Sequence, residues 1–493
     1  MKLFFVIAVL LTTGFIQSQN NLTDLEKEFE AFKKSSNKEF DDFIAKNNAE
    51  FAAFLKKNWE QYDVEKPLIP VLKPKPITLP KVPVEKTPHL DSTILVRPKI
   101  VVPLDNSSPD LNKEDNLPQK EENDPPKEMP KDQTFEGRTV EFLFYGVEQR
   151  LNIDPISIVK CEEATELAVS NYWSKVSSTN YKGVYNQLIV NKEKYQLNDW
   201  GIYDYTKKLS EIIYSDLNSQ IAFQFFYLTQ LGYDVKVARA GASLLLLVNF
   251  NHQIYRVSYL TIEGKKYFIM TNDCNESIYT FKEKFPSATK KIDLTVRNSL
   301  NLSSTNASRK LAINDTKSSV QINYPIDNIQ FFNHMPQTDF TVYFNSSISD
   351  GTLKSLKKSL EPYLMGKSEQ EKVQFLLTFV QTSFDYKTDQ EQFGKEKYFM
   401  TDEIIHYPFA DCEDRSFFFA QLVRTFVGLE VIGLSYPQHV ATAVKFNHQV
   451  NGDAILFNQS KYIVCDPTYI GASIGMCMPE FQRVSPTVIQ VRN

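Results

Sequence analysis

The tetrapeptide Phe-Asn-His-Gln occurs twice, at Phe250–Gln253 and, 196 residues on, at Phe446–Gln449. Carried upstream without a gap, the same offset lays Leu231-Gly232-Tyr233-Asp234-Val235 on Val427-Gly428-Leu429-Glu430-Val431. It also lays the apolar run Ile221–Leu231 on Phe417–Val427. Downstream, after a one-residue shift, Lys266-Tyr267-Phe268-Ile269 meets Lys461-Tyr462-Ile463-Val464. An apolar run stopped by glycine reads as a buried helix, and the runs after it read as strands. Their recurrence in one order predicts an α+β unit folded twice in tandem, over residues 136–284 and 348–493. Between them, residues 285–347 read as β-rich, with alternation in Val320-Gln321-Ile322-Asn323-Tyr324 and in Phe340-Thr341-Val342-Tyr343-Phe344. Residues 136–230 read mostly as helices, and two more helices are expected at Leu353–Leu364 and Glu369–Phe384.

The 493 residues leave room for more than this pair. Residues 1–18 have a lysine, a short apolar run and small polar residues, the pattern of a secretory signal. Export is therefore expected, and the Lys/Asn/Ile/Phe-rich composition points to a bacterial periplasm, cell surface or medium. No other segment offers a membrane span. Residues 19–64 carry Phe29 and Phe32, Phe40 and Phe43, and Phe51 and Phe54, an eleven-residue repeat that puts a phenylalanine stripe on one helix face. That stripe must be covered by the protein body, by a second copy or by another protein. Residues 65–135 hold fourteen of the 24 prolines and read as an extended linker between helix and body. A net charge of −5 with no long basic block argues against a nucleic-acid partner. Five cysteines, Cys161, Cys274, Cys412, Cys465 and Cys477, leave at least one thiol without an internal disulfide partner.

The chemistry gathers in the second copy. Cys412 opens the apolar run in Asp411-Cys412-Glu413-Asp414-Arg415-Ser416, so it stands at a helix start, where free N–H groups and the positive end of the helix favour a thiolate and an oxyanion. Asp411, Glu413 and Asp414 oppose that charge, and Arg415 offsets part of it. His439 opens the strand pattern that follows Tyr436-Pro437-Gln438, and Asp466 ends the next strand in Cys465-Asp466-Pro467-Thr468-Tyr469. A thiol, an imidazole and a carboxylate that orients the ring are the components of thiol–imidazolium catalysis. Cys465, one residue before Asp466, should face the opposite side of its strand and lie in the core. Cys477 is placed to rim the cleft. No phosphate-binding glycine loop or metal-ligand spacing occurs, so neither cofactor nor metal is expected.

The segment of about residues 350–480 resembles the transglutaminase-like superfamily of papain-type cysteine hydrolases. There a Cys precedes a core helix, a His opens a strand and Asp-Pro-Thr closes the next. The resemblance implies a buried helix packed on an antiparallel sheet, with Cys412 as nucleophile, His439 as base and Asp466 as orienting acid. It implies thiol attack on an amide, followed by hydrolysis or by acyl transfer to an amine, with a protein or peptide as substrate. Many relatives carry an aromatic residue soon after the His, whereas this chain has Val440 and Ala441, so substrate contacts do not carry over. The repeat offset places Asp216, Ser243 and Thr271 where Cys412, His439 and Asp466 stand, so the first copy lacks the chemistry. The expectation is an exported peptidase or amidase. The alternative is a non-catalytic surface or scaffold protein that binds protein or glycan.

Overall fold

The computed structural model describes residues 39, 41–57, 59–70, 80–83, 95–96, 137–271, 277–302, 305–313 and 318–492. The protein is α+β and its sheets are built almost wholly from antiparallel pairs. The signal-like segment and Phe29, Phe32, Phe40 and Cys274 lie outside the described residues.

Two six-stranded sheets share one plan. The first runs Glu60–Tyr62, Ile278–Thr280, Val235–Ala240, Ser243–Val248, Lys265–Ile269, Tyr259–Ile262. The second runs Thr487–Gln490, Glu430–Tyr436, His439–Lys445, Ser460–Cys465, Ala454–Phe457, Leu95–Val96. Five consecutive strands correspond, and so does their register. Val235 pairs with Val248 as Val431 pairs with Val444, and Ala240 with Ser243 as Tyr436 with His439. Val248 pairs with Phe268 as Val444 pairs with Ile463, and Tyr259 with Phe268 as Ala454 with Ile463. A one-residue slip would turn every side chain to the other face. Agreement across three strand pairs therefore makes the two units copies in detail.

The helix Leu217–Gln230 crosses the inner face of the first sheet, and Cys412–Phe426 crosses that of the second. Each unit opens with a β-hairpin, Arg138–Phe144 with Val147–Ile153 and Asn306–Ile313 with Ser318–Pro325. Each hairpin is covered by two helices. Lys182–Lys194 and Asp199–Ile213 cover the first, and Asp350–Leu364 and Glu369–Ser383 cover the second. The hairpin Asn306–Pro325 is therefore built into the second unit.

Two local expectations are corrected. The stretch after residue 136 begins with a hairpin, turned at Tyr145-Gly146, where both residues have positive φ. Its alternating Val140, Phe142 and Phe144 face the core. Phe340–Asn345 is a helix, although its sequence alternates like a strand. The Asp339 carboxylate caps it by accepting from the Thr341 N–H at 3.0 Å, Val342, Tyr343 and Phe344 are buried, and the rings of Tyr343 and Phe344 pack on Phe417 of the Cys412 helix. Tertiary burial overrides the local pattern there.

The described parts of the N-terminal region are docked on the body rather than held apart from it. Helix 41–55 buries Phe51, Ala52 and Leu55. Phe51 packs edge-on to Trp173 at 4.8 Å and to Phe285 at 5.3 Å. Glu60–Tyr62 adds an edge strand to the first sheet, and Leu95–Val96 pairs in parallel with Ala454–Ile455 at the edge of the second. Between them, the Val82 N–H donates to Ile470 O at 3.0 Å and the Ile470 N–H to Pro80 O at 2.9 Å. The described parts of the proline-rich stretch are extended, as proline dictates, but they tie both units together. One hydrophobic core runs through both units. Among the described residues no helix is long and apolar enough to cross a membrane.

Candidate thiol–imidazole site

The helix Cys412–Phe426 is buried from Cys412 through Val423: its middle, Phe417–Ala420 with Leu422 and Val423, is apolar, whereas Glu413, Asp414, Arg415 and Ser416 of its first turns are buried polar groups. Gly428, at φ 77°, takes the left-handed conformation that ends it. Asp411 is in extended conformation before the first turn, and its carbonyl accepts the Arg415 N–H at 3.3 Å. Cys412 is thus the first helical residue and is 1 % exposed. Its thiol donates to Glu413 Oε2 at 3.0 Å.

Carboxylates crowd this helix start. Oxygens of Asp389, Asp411 and Glu413 lie within 4.8 Å of one another, all buried. Asp414 Oδ1 accepts the Phe399 N–H at 2.9 Å, and Asp389 Oδ2 accepts that of Lys397 at 2.9 Å. Arg415 supplies buried positive charge. Its Nε donates to Ala410 O at 3.2 Å, its Nη1 to Gln381 O at 3.2 Å and its Nη2 to Phe384 O at 2.7 Å. Burial pushes the guanidinium down to about 10, while the charges of Asp411 and Asp414 work to hold it up.

His439 is the first residue of its strand, reached through Gln438 at φ 66°. Its Nε2 lies 2.8 Å from Asp466 Oδ2, with both side chains 3 % exposed. A carboxylate accepts, so Nε2 carries the proton, and Nδ1 is the remaining ring nitrogen. Asp466 Oδ1 accepts the N–H groups of Thr468 at 2.9 Å and Tyr469 at 3.2 Å. These bonds close a tight turn at Pro467 and fix the carboxylate plane. Phe481 stacks on the His439 ring at 5.2 Å and 7°.

His439 opens its strand and Asp466 directly follows the neighbouring one, at one end of the second sheet, and Cys412 opens the helix that packs on that sheet. His439 and Asp466 are in direct contact. The Cys412 helix reaches the same place through Ser416, one turn on, whose Oγ donates to the carbonyl of Val440, the residue after His439, at 2.9 Å. Cys465 is in the core, and burial raises its thiol far above the usual range. Cys477 is buried among Ile432, Tyr436 and Val464, and its thiol is likewise raised by burial. The four described cysteines, Cys161, Cys412, Cys465 and Cys477, form no disulfide with one another.

The matching positions in the first unit, Asp216, Ser243 and Thr271, do not repeat the cysteine, histidine and aspartate. Asp216 caps the helix by accepting the Ser219 N–H at 2.7 Å, and Ser243 opens the strand. The Cys161 N–H donates to Ser219 Oγ at 2.8 Å, and Asn218 Nδ2 to Glu162 O at 3.0 Å, so the chain at 161–162 fills the helix mouth. Burial pushes the Cys161 thiol up to about 12, with Asp216 adding to it. Comparison with models of protein families, with curated proteins and with solved structures finds no match.

Proposed function

We propose that the second unit is a transglutaminase-like, papain-type core acting as an exported cysteine hydrolase on amide bonds. The observation that carries this reading is the buried His439–Asp466 pair, at 2.8 Å, beside the start of the Cys412 helix. The first unit supports it by contrast. It keeps the strand register and lacks thiol, imidazole and carboxylate at the matching positions, so the fold itself does not need them.

In this reading Cys412 passes its proton to Nδ1 of His439, and the sulfur attacks the amide carbonyl carbon. First-turn N–H groups stabilise the resulting oxyanion. The imidazolium, held by Asp466, then protonates the leaving amine as the C–N bond breaks, leaving a thioester on Cys412. Water activated by His439 releases the acid, or an amine takes the acyl group. Cys412 and His439 are 1 % and 3 % exposed, so this reading requires an opening that admits substrate.

A second reading is a non-catalytic binding or scaffold unit. The hydrogen bond from the Cys412 thiol to Glu413 and the surrounding carboxylates favour it, because negative neighbours disfavour a thiolate. Acyl trapping separates the two. The protein is incubated with short peptide p-nitrophenyl esters, and its tryptic peptides are weighed. An acyl group on Cys412, absent in His439→Ala and discharged by water or an added amine, supports the hydrolase. No adduct on Cys412 at any pH between 6 and 9 favours the binding unit.

A further inference from the structure

We infer that Gln381 is a positioning residue for this site, setting the direction of the Asp466 carboxylate; the inference rests on the thiol–imidazole reading above. Gln381 is in the last turn of the helix Glu369–Ser383 and is buried. Its Nε2 lies 3.1 Å from the carbonyl oxygen of Asp466, 2.9 Å from that of Tyr469 and 3.1 Å from that of Ala472. Its Oε1 accepts the Gly471 N–H at 3.3 Å. Two helical turns earlier, on the same face, Gln374 Oε1 accepts the Ile474 N–H at 3.0 Å. The backbone from Asp466 to Ile474 is thus folded around two amide side chains.

That loop decides where the carboxylate points. Asp466 Oδ1 is held by the loop's own N–H groups, from Thr468 and Tyr469, which leaves Oδ2 aimed at His439. The backbone carbonyl of Gln381 also accepts from Arg415, three residues past Cys412, at 3.2 Å. One residue therefore links the nucleophile's helix to the orienting acid. Glutamine suits the position because its NH2 supplies donors for converging carbonyls while its oxygen accepts. Methionine fills the volume with neither function, and a glutamate carboxylate would face three carbonyl oxygens. The first unit offers a contrast. Its helix Asp199–Ile213 is also 15 residues long, and the residue in the same place is Glu211, which pairs with Lys207 at 2.5 Å instead.

The test compares iodoacetamide labelling of Cys412 against pH in the full chain and in Gln381→Met, Asp466→Asn and the double variant. Gln381→Met is expected to slow labelling at neutral pH about tenfold and to move the pH profile to more alkaline values. The double variant is expected to be no slower than Asp466→Asn alone, because Gln381 acts through Asp466. A Gln381→Met profile that overlays wild type overturns the inference, even if the variant melts at a lower temperature. Gln381→Glu serves if the methionine variant does not fold. It regains one donor when protonated, so its deficit should shrink as the pH falls, and a constant deficit overturns the inference. If wild-type Cys412 labels only as a free thiol does, the hydrolase reading fails. Gln381 is then judged by the downfield proton resonance of the His439 N–H bonded to Asp466, assigned by its loss in His439→Gln. Loss of that signal in folded Gln381→Met upholds the positioning role, and its retention overturns it.

Discussion

His252 and His448 are the same residue of the repeated tetrapeptide, yet they face different partners. His448 is half-exposed, with Nδ1 3.2 Å from Glu369 Oε1. His252 is mostly buried between Asp293, at 3.0 Å, and Asp339, at 3.7 Å, where the first unit meets the helix Phe340–Asn345 of the second. Burial works to lower its pKa, but hydrogen bonds to Asp293 and Asp339 outweigh that and raise it from 6.5 to about 9. A raised pKa contributes stability that is fully present below about pH 6.5 and lost as the pH climbs through about 9. Urea midpoints between pH 6 and 10 should therefore fall further in wild type than in His252→Gln, and equal falls would contradict the clamp. Gly433 makes a second residue-scale case. A Cβ there would lie 2.5 Å from Phe344 Cε2, inside the core. Its counterpart Val237 carries a side chain without difficulty, so the room is made for Phe344. Gly433→Ala should cost about 1–3 kcal/mol in a denaturant titration, and no loss would mean the ring moves freely. Arg415→Lys should be severe, about 3–5 kcal/mol, because a lysine cannot span the Ala410, Gln381 and Phe384 carbonyls together.

At the scale of elements, legibility followed the range of the interaction. The Cys412 helix and the strands around His439 and Asp466 were readable because apolar patterning, a glycine stop and Asp-Pro are local signals. The helix Phe340–Asn345 was not, because burial against Phe417 decides it. Gln381 and Phe481 carry no local mark either. One acts by reaching carbonyls 85 to 91 residues away and the other by stacking on an imidazole, and neither has a spacing to recognise. The N-terminal phenylalanine stripe was visible, but its cover was open among three choices. The structure seats Phe51 on Trp173, Phe281 and Phe285, while Phe43 remains 57 % exposed. Phe51→Ala should therefore cost about 3–5 kcal/mol, read from the shift in denaturant midpoint, whereas Phe43→Ala should cost almost nothing. Equal effects would contradict intramolecular docking of the helix.

The whole molecule pairs two copies of one unit with N-terminal segments that close an edge of each sheet. Exposed strand edges invite further pairing, and Glu60–Tyr62 and Leu95–Val96 occupy one edge apiece. The register match makes the asymmetry in chemistry informative, since the second copy pairs His439 with Asp466 at positions where the first copy has Ser243 and Thr271. The claim that this arrangement activates Cys412 is tested most directly by iodoacetamide labelling against pH, with sites read by mass spectrometry in wild type and His439→Ala. Cys161, Cys465 and Cys477 serve as internal references, because burial raises all three thiols. The account predicts that Cys412 labels first, well below the ordinary thiol value of about 8.5, and that His439→Ala abolishes this lead. Labelling of Cys412 no faster than the three buried references, or unchanged in His439→Ala, would contradict it.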